Sequence, residues 1–148
     1  MMTYPTIRPR MPKRLIAVLV FVFLQALGNG MFAVLTQIDI SERASHHQDV
    51  LPQLPFAVVV SYVFAGALLF GGIAVALGHN WGRWLVSSFE ALTVLVALIA
   101  LFSGNLAMLV GLVLVGLAMS ALFSEKASDW FADKALERQG TVPAPSPR

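Results

Sequence analysis

The chain contains no cysteine in 148 residues. This absence excludes disulfide bonds, thiolate nucleophiles, and metal or haem sites that depend on cysteine ligands. It leaves the redox compartment open, because disulfides cannot report on it here.

Charged residues are also scarce, at 12% of the chain, against about 25% in an ordinary soluble domain. They fall almost entirely in three polar segments, residues 1–14, 37–53 and 124–148. The net charge is +2 and the pI is about 9.4, a balance that can accompany nucleic-acid binding. Here the basic residues lie beside apolar segments, where they orient helices, so we expect no nucleic-acid partner.

Four apolar stretches make up most of the remaining chain. A hydrocarbon core of about 30 Å needs about 20 apolar residues in a helix, and a spanning segment must satisfy its backbone hydrogen bonds internally. Residues 15–123 therefore predict an all-α membrane protein, an antiparallel bundle of four transmembrane helices with the lipid bilayer as partner. The four predicted spans are Leu15–Thr36, Phe56–Leu77, Trp84–Phe102 and Leu106–Phe123.

The first span is interpreted as a retained helix. Its apolar run is longer than the 7–15 residues of a cleavable signal peptide, and no clear Ala-x-Ala site follows it. The basic residues before it fit a signal peptide, but the length of the run does not.

The basic residues are distributed unevenly between the two ends of these spans. Only Arg43 lies on the outer side, whereas nine others lie on the opposite side: Arg8, Arg10, Lys13, Arg14, Arg83, Lys126, Lys134, Arg138 and Arg148. Positive charge accumulates on the cytoplasmic side of membrane proteins. Trp81, Trp84 and Trp130 lie on that same side. With an even number of spans, this predicts a multi-pass protein of the cell membrane with both termini in the cytoplasm.

Turn residues and small residues give partial information on helix packing. The short segment 103–105 is Ser-Gly-Asn, which predicts an antiparallel hairpin of the third and fourth spans.

Small residues at four-residue spacing let helices approach closely in lipid. Two interpretations stay open, packing within one bundle or contact with a second copy or another membrane protein. The pairs are Ser61 and Ala65, Ala67 and Gly71, Gly72 and Ala76, Ala107 and Gly111, and Gly116 and Ser120.

The polar ends predict one further helix and two irregular segments. Residues 1–14 hold three prolines and predict a flexible basic arm that is attracted to anionic lipid. Residues 124–140 predict a short cytoplasmic amphipathic helix that ends at Gly140. Its apolar stripe is expected on the membrane surface and consists of Ala127, Trp130, Phe131 and Ala135. Residues 141–148 predict a disordered tail.

The outer segment, from Gln37 to about Pro55, predicts a solvated loop without a metal site. Asp39 and Glu42 resemble a helix-capping pair, and a short helix there would place Glu42 and His46 on one face. A carboxylate and an imidazole can bind zinc. However, His46 and the adjacent His47 cannot both point along one helix face, and no third ligand is clearly placed.

Glu90 is the only acidic or basic residue inside any predicted span. It follows Arg83 by seven residues, which places it about 10 Å into the membrane. An ionisable group at that depth is expensive and is a functional-site hypothesis by default. Ser87 and Thr93 share its helix face, and Ser120 of the fourth span is expected at a similar depth.

The first span carries two further polar side chains, Gln25 and Asn29, on one face near the middle of the membrane. Buried amides need hydrogen-bond partners, and Gln25 can reach Glu90 if the two helices pack together. The candidate buried polar and proton site is therefore Glu90, Gln25, Asn29, Ser87 and Ser120. Three roles stay open: hydrogen bonding between helices, proton or cation coupling at Glu90, and a partly hydrated Glu90 that does neither.

No catalytic constellation is recognisable in the sequence, since no nucleophile stands beside a base and no phosphate-binding loop is present. We therefore expect a protein that is not an enzyme and needs no cofactor. The predicted function is a structural or accessory membrane component. The alternative is a small oligomeric proton-coupled transporter or channel that uses Glu90.

Two short motifs carry a family resemblance, Gly78-His-Asn-Trp-Gly-Arg-Trp-Leu85 before the third span and Ser128-Asp-Trp-Phe131 after the fourth. They resemble the Asn-Trp-Ala-Arg-like entry and the Trp-Phe exit of small four-span integral membrane proteins of actinobacteria, over roughly residues 55–135. Gly82 stands where that pattern usually has alanine. The resemblance implies the topology and no mechanism, because the group has no established activity. Small multidrug transporters are similar in span count but carry their key glutamate in the first helix, where this chain has Gln25.

Overall fold

The computed structural model describes residues 10–106 and 108–140, and within them it contains five α-helices and no strand. The first four helices each contact the next one, and α4 also contacts α1. Because the connections are short, neighbouring helices run antiparallel and close into a bundle. The helices are α1 (Lys13–Ser45), α2 (Gln53–Ala76), α3 (Asn80–Phe102), α4 (Met108–Leu122) and α5 (Glu125–Arg138).

The outer surface of the bundle is apolar. No more than 33% of the most apolar stretch of α1, α2 or α3 is buried within the protein, and the Phe102 side chain is 90% exposed. An apolar surface of this extent is far larger than the patches that soluble proteins expose to water. Lipid is the solvent that this surface fits.

Three helices, α1, α2 and α3, are long and apolar enough to cross a membrane. α4 and α5 pass the same test only together, and they are bent by 48° at the break between them. The described chain thus has three candidate spans, or four if the bent pair counts as one.

α1 is longer than the sequence predicted. It continues past Thr36 to Ser45, so the irregular outer connection begins at His46 and not at Gln37. With 33 residues, α1 is about 50 Å long, more than the hydrocarbon core of about 30 Å. Tyr62 of α2 donates a hydrogen bond to Gln37 Oε1 at 2.9 Å, which ties this polar extension to the bundle.

The capping interpretation of Asp39 and Glu42 is wrong, because no helix begins there. Asp39 instead pairs with Arg43 one turn further along α1, at 2.8 Å. Acid and base four residues apart stabilise a continuing helix. The polar residues that suggested a loop therefore extend the first helix.

The other helices differ from the predicted spans mainly at their starts. α2 begins at Gln53. Pro55 lies in its first turn, where the missing N–H of proline is tolerated, so the helix can begin before the apolar run. α3 begins at Asn80, so Arg83 belongs to the helix and not to the connection before it. α4 begins at Met108 and has 15 residues, fewer than the predicted span.

Glycines bring α2 and α3 close together. A Cβ built on Gly82 would lie 2.8 Å from Ala74 Cβ and 2.8 Å from the backbone N of Val75. In α4, by contrast, a Cβ on Gly111 or Gly116 meets nothing within 4 Å. Gly71 and Gly72 of α2 also pack within the bundle, since an added Cβ would lie 2.8 Å from Val86 and 3.1 Å from Phe23, respectively. Ala107 lies outside the described residues.

α5 packs against the bundle through the stripe that was expected on the membrane surface. Ala127, Trp130 and Phe131 are buried in the same apolar cluster as Leu15 of α1 and Leu122 of α4. The membrane-surface expectation is therefore wrong for these three residues, because the other helices supply a nearer apolar partner. Ala135, the fourth member of the stripe, is exposed.

The two ends of α5 follow the sequence signals. Ser124 accepts a hydrogen bond from the Ala127 N–H at 3.4 Å, as an N-cap residue does. α5 ends at Arg138, two residues before Gly140, which has a φ of 71°. Most of the predicted flexible arm, residues 1–9, and the predicted tail, residues 141–148, lie outside the described residues. Lys13 and Arg14, assigned to the arm, belong to α1.

Gly78, between α2 and α3, has a φ of 77° and lies under α5, where an added Cβ would be 2.9 Å from Lys134 Cβ. We expect Gly78→Ala to lower the free energy of unfolding by about 2–3 kcal/mol, of which about 1–2 comes from the backbone conformation and the rest from the clash. Gly104→Ala is the matched control, since Gly104 has a φ of 91° and open space around it. An SDS unfolding titration measures both variants. An equal loss of unfolding free energy in the two would contradict the contact between Gly78 and Lys134 of α5.

Candidate functional site

One face of α3 carries polar side chains into the interior of the bundle. Asn80, Arg83, Ser87 and Glu90 follow one another at intervals of three or four residues, the spacing that places side chains on one helix face. Arg83 and Ser87 are buried, and Glu90 is 0% exposed. At 1.5 Å of rise per residue, Glu90 lies about 10 Å beyond Arg83 along the helix.

Glu90 contacts α1 through Gln25. The side-chain amide of Gln25 donates to Glu90 Oε2 at 3.5 Å, which is the upper end of hydrogen-bond distances. Glu90 Oε1 and Gln25 Oε1 are both buried, and neither has a hydrogen-bond partner in the described part of the protein. The structure thus brings these two predicted residues together and leaves one oxygen of each unsatisfied.

No cationic side chain of the described residues lies against Glu90. Within residues 10–106 and 108–140 the ion pairs are Asp39–Arg43 and Lys134–Glu137. An unpaired carboxylate in an apolar interior is expensive. A neutral carboxylic acid instead has an O–H donor, and acceptors that lack a partner are present at Gln25 Oε1 and Ser87 Oγ. The geometry suits a carboxyl group that holds a proton or exchanges one.

Two predicted site residues are not part of this cluster. Asn29 donates its side-chain N–H to the backbone oxygen of Gln25 at 2.9 Å, within α1. Ser120 is exposed and donates to the backbone oxygen of Leu117 at 2.8 Å, within α4. Ser120 therefore does not approach Glu90 as expected. A similar depth in the membrane does not determine which face of α4 a residue occupies. Thr93 likewise donates to its own helix, at Phe89 O.

Arg83 is the buried group that sequence reasoning missed. Its guanidinium carbon lies 4.8 Å from the ring centre of Phe123 and 5.0 Å from that of Phe131. These are distances at which a cation is attracted to an aromatic face. Arg83 also donates to Asn80 Oδ1 at 3.3 Å and to Ser128 Oγ at 3.4 Å.

This arginine joins three helices, because Phe123 follows α4 directly and Ser128 and Phe131 belong to α5. From the sequence, Arg83 marks only a cytoplasmic boundary. A usable signal was its spacing from Glu90, since seven residues are two helical turns and place both groups on one face. That face was assigned to Glu90, Ser87 and Thr93, without Arg83.

Unpaired polar atoms collect on the same side of the bundle. In the described ranges, six buried side-chain atoms lack a hydrogen-bond partner: Gln25 Oε1, His79 Nδ1, Arg83 Nε, Ser87 Oγ, Glu90 Oε1 and Trp130 Nε1. Three of them belong to the polar face of α3 and a fourth to Gln25. Buried polar groups are normally paired. Three of the unpaired atoms therefore follow one another along the polar face of α3, from Arg83 to Glu90.

The outer connection offers no cluster of metal ligands among the residues described. No three His, Asp or Glu side chains come together in them. His46 Nδ1 lies 2.9 Å from the backbone oxygen of Glu42, and Asp39 is paired with Arg43. The groups that suggested a ligand pair are therefore engaged at the end of α1.

No protein-family model, no curated protein and no solved structure matches this chain. The resemblance to small actinobacterial membrane proteins stays a prediction. Inferences about function must therefore start from the geometry of the α1–α3 interface and its polar face.

Proposed function

We propose that the protein is a non-enzymatic structural or accessory component of the cell membrane, related to the small four-span proteins of actinobacteria. It crosses the bilayer four times and keeps both termini and α5 in the cytoplasm. Three long apolar helices support this topology, as does the excess of basic residues on one side. α4 alone is about 22 Å long, so its crossing requires the flanking residues or a locally thinner bilayer.

The observation that carries this proposal is the buried contact between Gln25 and Glu90. It links α1 to α3 at a point where Glu90 is 0% exposed. Hydrogen bonds between membrane helices contribute about 0.6 kcal/mol on average and rarely more than about 1.7 kcal/mol. A neutral Glu90 acts here as a connector between helices and performs no reaction.

We expect Glu90→Gln to leave the bundle and its cellular role unchanged. Glutamine has nearly the same shape, and its carbonyl oxygen accepts the Gln25 N–H as Glu90 Oε2 does. The SDS unfolding free energy is expected within about 0.5 kcal/mol of the wild-type value, as for a substitution that preserves contacts. The measurement is an unfolding titration of the purified protein, together with growth of cells that carry only the variant.

Glu90→Leu is the control for this test. It removes the acceptor and leaves the buried Gln25 amide without a partner, which is expected to destabilise the bundle by about 1–3 kcal/mol. A Glu90→Gln variant that fails in cells although its stability is unchanged would contradict the connector role.

The series of unpaired polar atoms favours a second candidate, a small oligomeric proton-coupled transporter or channel. In this case Glu90 is a protonatable site reached from the Arg83 end of the polar face. Glu90→Gln would then abolish a pH-dependent flux in reconstituted vesicles. Equal flux with and without the carboxyl group would exclude this candidate.

The mass of the detergent-extracted complex separates the two functions further. A co-purifying membrane protein supports the accessory role, whereas a discrete homo-oligomer supports the transporter. Gly111 and Gly116 each meet nothing within 4 Å in the described bundle, so a second copy could approach α4 closely at either position.

A further inference from the structure

A groove runs between α1 and α4, on the outside of the bundle and away from Glu90. Its volume is about 490 Å³, and its walls include Ala17 and Phe21 of α1 and Leu114 and Leu117 of α4. Two polar side chains, Arg14 and Ser120, also line it. Because α1 and α4 are antiparallel, the start of α1 lies beside the end of α4, so both polar groups belong to the same end of the groove.

This end of the groove is positively charged. Arg14 is exposed and forms no ion pair within residues 10–106 and 108–140. The first turn of α1 contains no acidic residue, and its N-cap, Pro12, provides no side-chain hydrogen bond. The positive end of the helix dipole therefore lacks a compensating acidic group. Lys13 and Arg10, both exposed, add to the positive potential.

We propose that the groove binds one molecule of an anionic phospholipid. An acyl chain lies between Ala17 and Phe21 on one side and Leu114 and Leu117 on the other. The phosphate lies at the positive end, where Arg14 binds it with its planar fork of donors and where the Ser120 hydroxyl can donate once it turns away from the backbone oxygen of Leu117. The groove opens onto the apolar surface of α1 and α4, which favours a lipid over a soluble anion.

The experiment uses native mass spectrometry of the whole protein, released from detergent after incubation with equal amounts of phosphatidylglycerol and phosphatidylcholine. Both lipids carry the same acyl chains, so a difference in retention reports on the headgroup. We expect phosphatidylglycerol to be retained at least about fivefold more than phosphatidylcholine. Equal retention of the two lipids would overturn the proposal.

Two pairs of variants test the position of the site. Arg14→Gln is expected to lower the retention of phosphatidylglycerol about tenfold, through loss of charge-assisted hydrogen bonds. Lys13→Gln removes the same charge one residue away and outside the groove, and its effect is expected to stay below about threefold.

Ala17→Trp fills the groove and is expected to abolish retention of phosphatidylglycerol, whereas Ile16→Trp on the neighbouring exposed face leaves retention intact. Equal effects within either pair would overturn the proposal.

Inorganic phosphate distinguishes a lipid site from a general anion site. An excess of free phosphate is expected to leave phosphatidylglycerol bound, because the acyl contacts are unaffected. Complete displacement by phosphate would show that the groove recognises the anion alone and would overturn the assignment to lipid. None of these outcomes depends on Glu90, so the lipid site and the proposed function are tested separately.

Discussion

Gly82→Leu is expected to destabilise the bundle by at least about 3 kcal/mol, because the new side chain would overlap the backbone of α2. A Cβ at this position already lies 2.8 Å from the backbone N of Val75 and 3.0 Å from the carbonyl oxygen of Gly71. Backbone atoms within a helix cannot move aside as a flexible side chain can. The two helices must therefore separate, which also disturbs Arg83 in the next position.

The matched control is Gly116→Leu in α4. A Cβ on Gly116 meets nothing within 4 Å, so this variant adds the same side chain on an open face. Unfolding free energies from SDS titration and elution profiles from size-exclusion chromatography measure both variants. A stable, monodisperse Gly82→Leu protein would contradict the close crossing of α2 and α3.

The close crossing also explains why glycine stands at position 82. In this chain alanine would place its Cβ 2.8 Å from Ala74 Cβ. The glycine therefore reflects the spacing between α2 and α3 here and not a requirement for an unusual backbone conformation.

Phe131→Ala is expected to release α5 from the bundle, at a cost of about 3–5 kcal/mol, which is typical of a buried phenylalanine. Phe131 is 3% exposed within the cluster that joins α5 to α1 and α4. Its removal also takes away one of the two aromatic rings that lie against Arg83. Faster tryptic cleavage at Lys126 and Lys134, together with a lower unfolding free energy, would report the release.

Phe102→Ala provides the comparison, since Phe102 is 90% exposed at the end of α3. This variant removes the same side chain without leaving a cavity, and its cleavage in α5 is expected to match the wild type. If both variants behaved alike in detergent, the docking of α5 through Phe131 would be refuted. The apolar stripe of α5 would then be free to lie on the membrane surface.

The sequence predicted the membrane-spanning character of the chain better than the extent of its helices. Long apolar runs predict helices in lipid, because an isolated strand or an irregular segment cannot satisfy its backbone there. The end of α1 was placed too early for a local reason. Polarity at Asp39 and Arg43 suggested a loop, but these side chains pair at 2.8 Å and support another two turns of helix.

Part of the candidate site was also accessible from the sequence. Glu90 and Ser87 on one face follow from helical periodicity, and the contact with Gln25 required only that α1 and α3 approach each other. Ser120 was expected near Glu90, but it is exposed on another side of α4. Periodicity fixes the angle between residues of one helix, and it does not fix how that helix is rotated towards its neighbours.

The amino-acid sequence by itself determined that this chain is helical, apolar on its outside and limited to a single buried acid, because those properties depend on local composition and spacing. Tertiary structure alone decided that Arg83 lies against Phe123 and Phe131, that α5 packs its apolar stripe inward, and that Ser120 faces a groove beside α1. Each of these contacts joins residues far apart in the chain. They depend on the rotation and crossing of packed helices, which local sequence patterns do not specify.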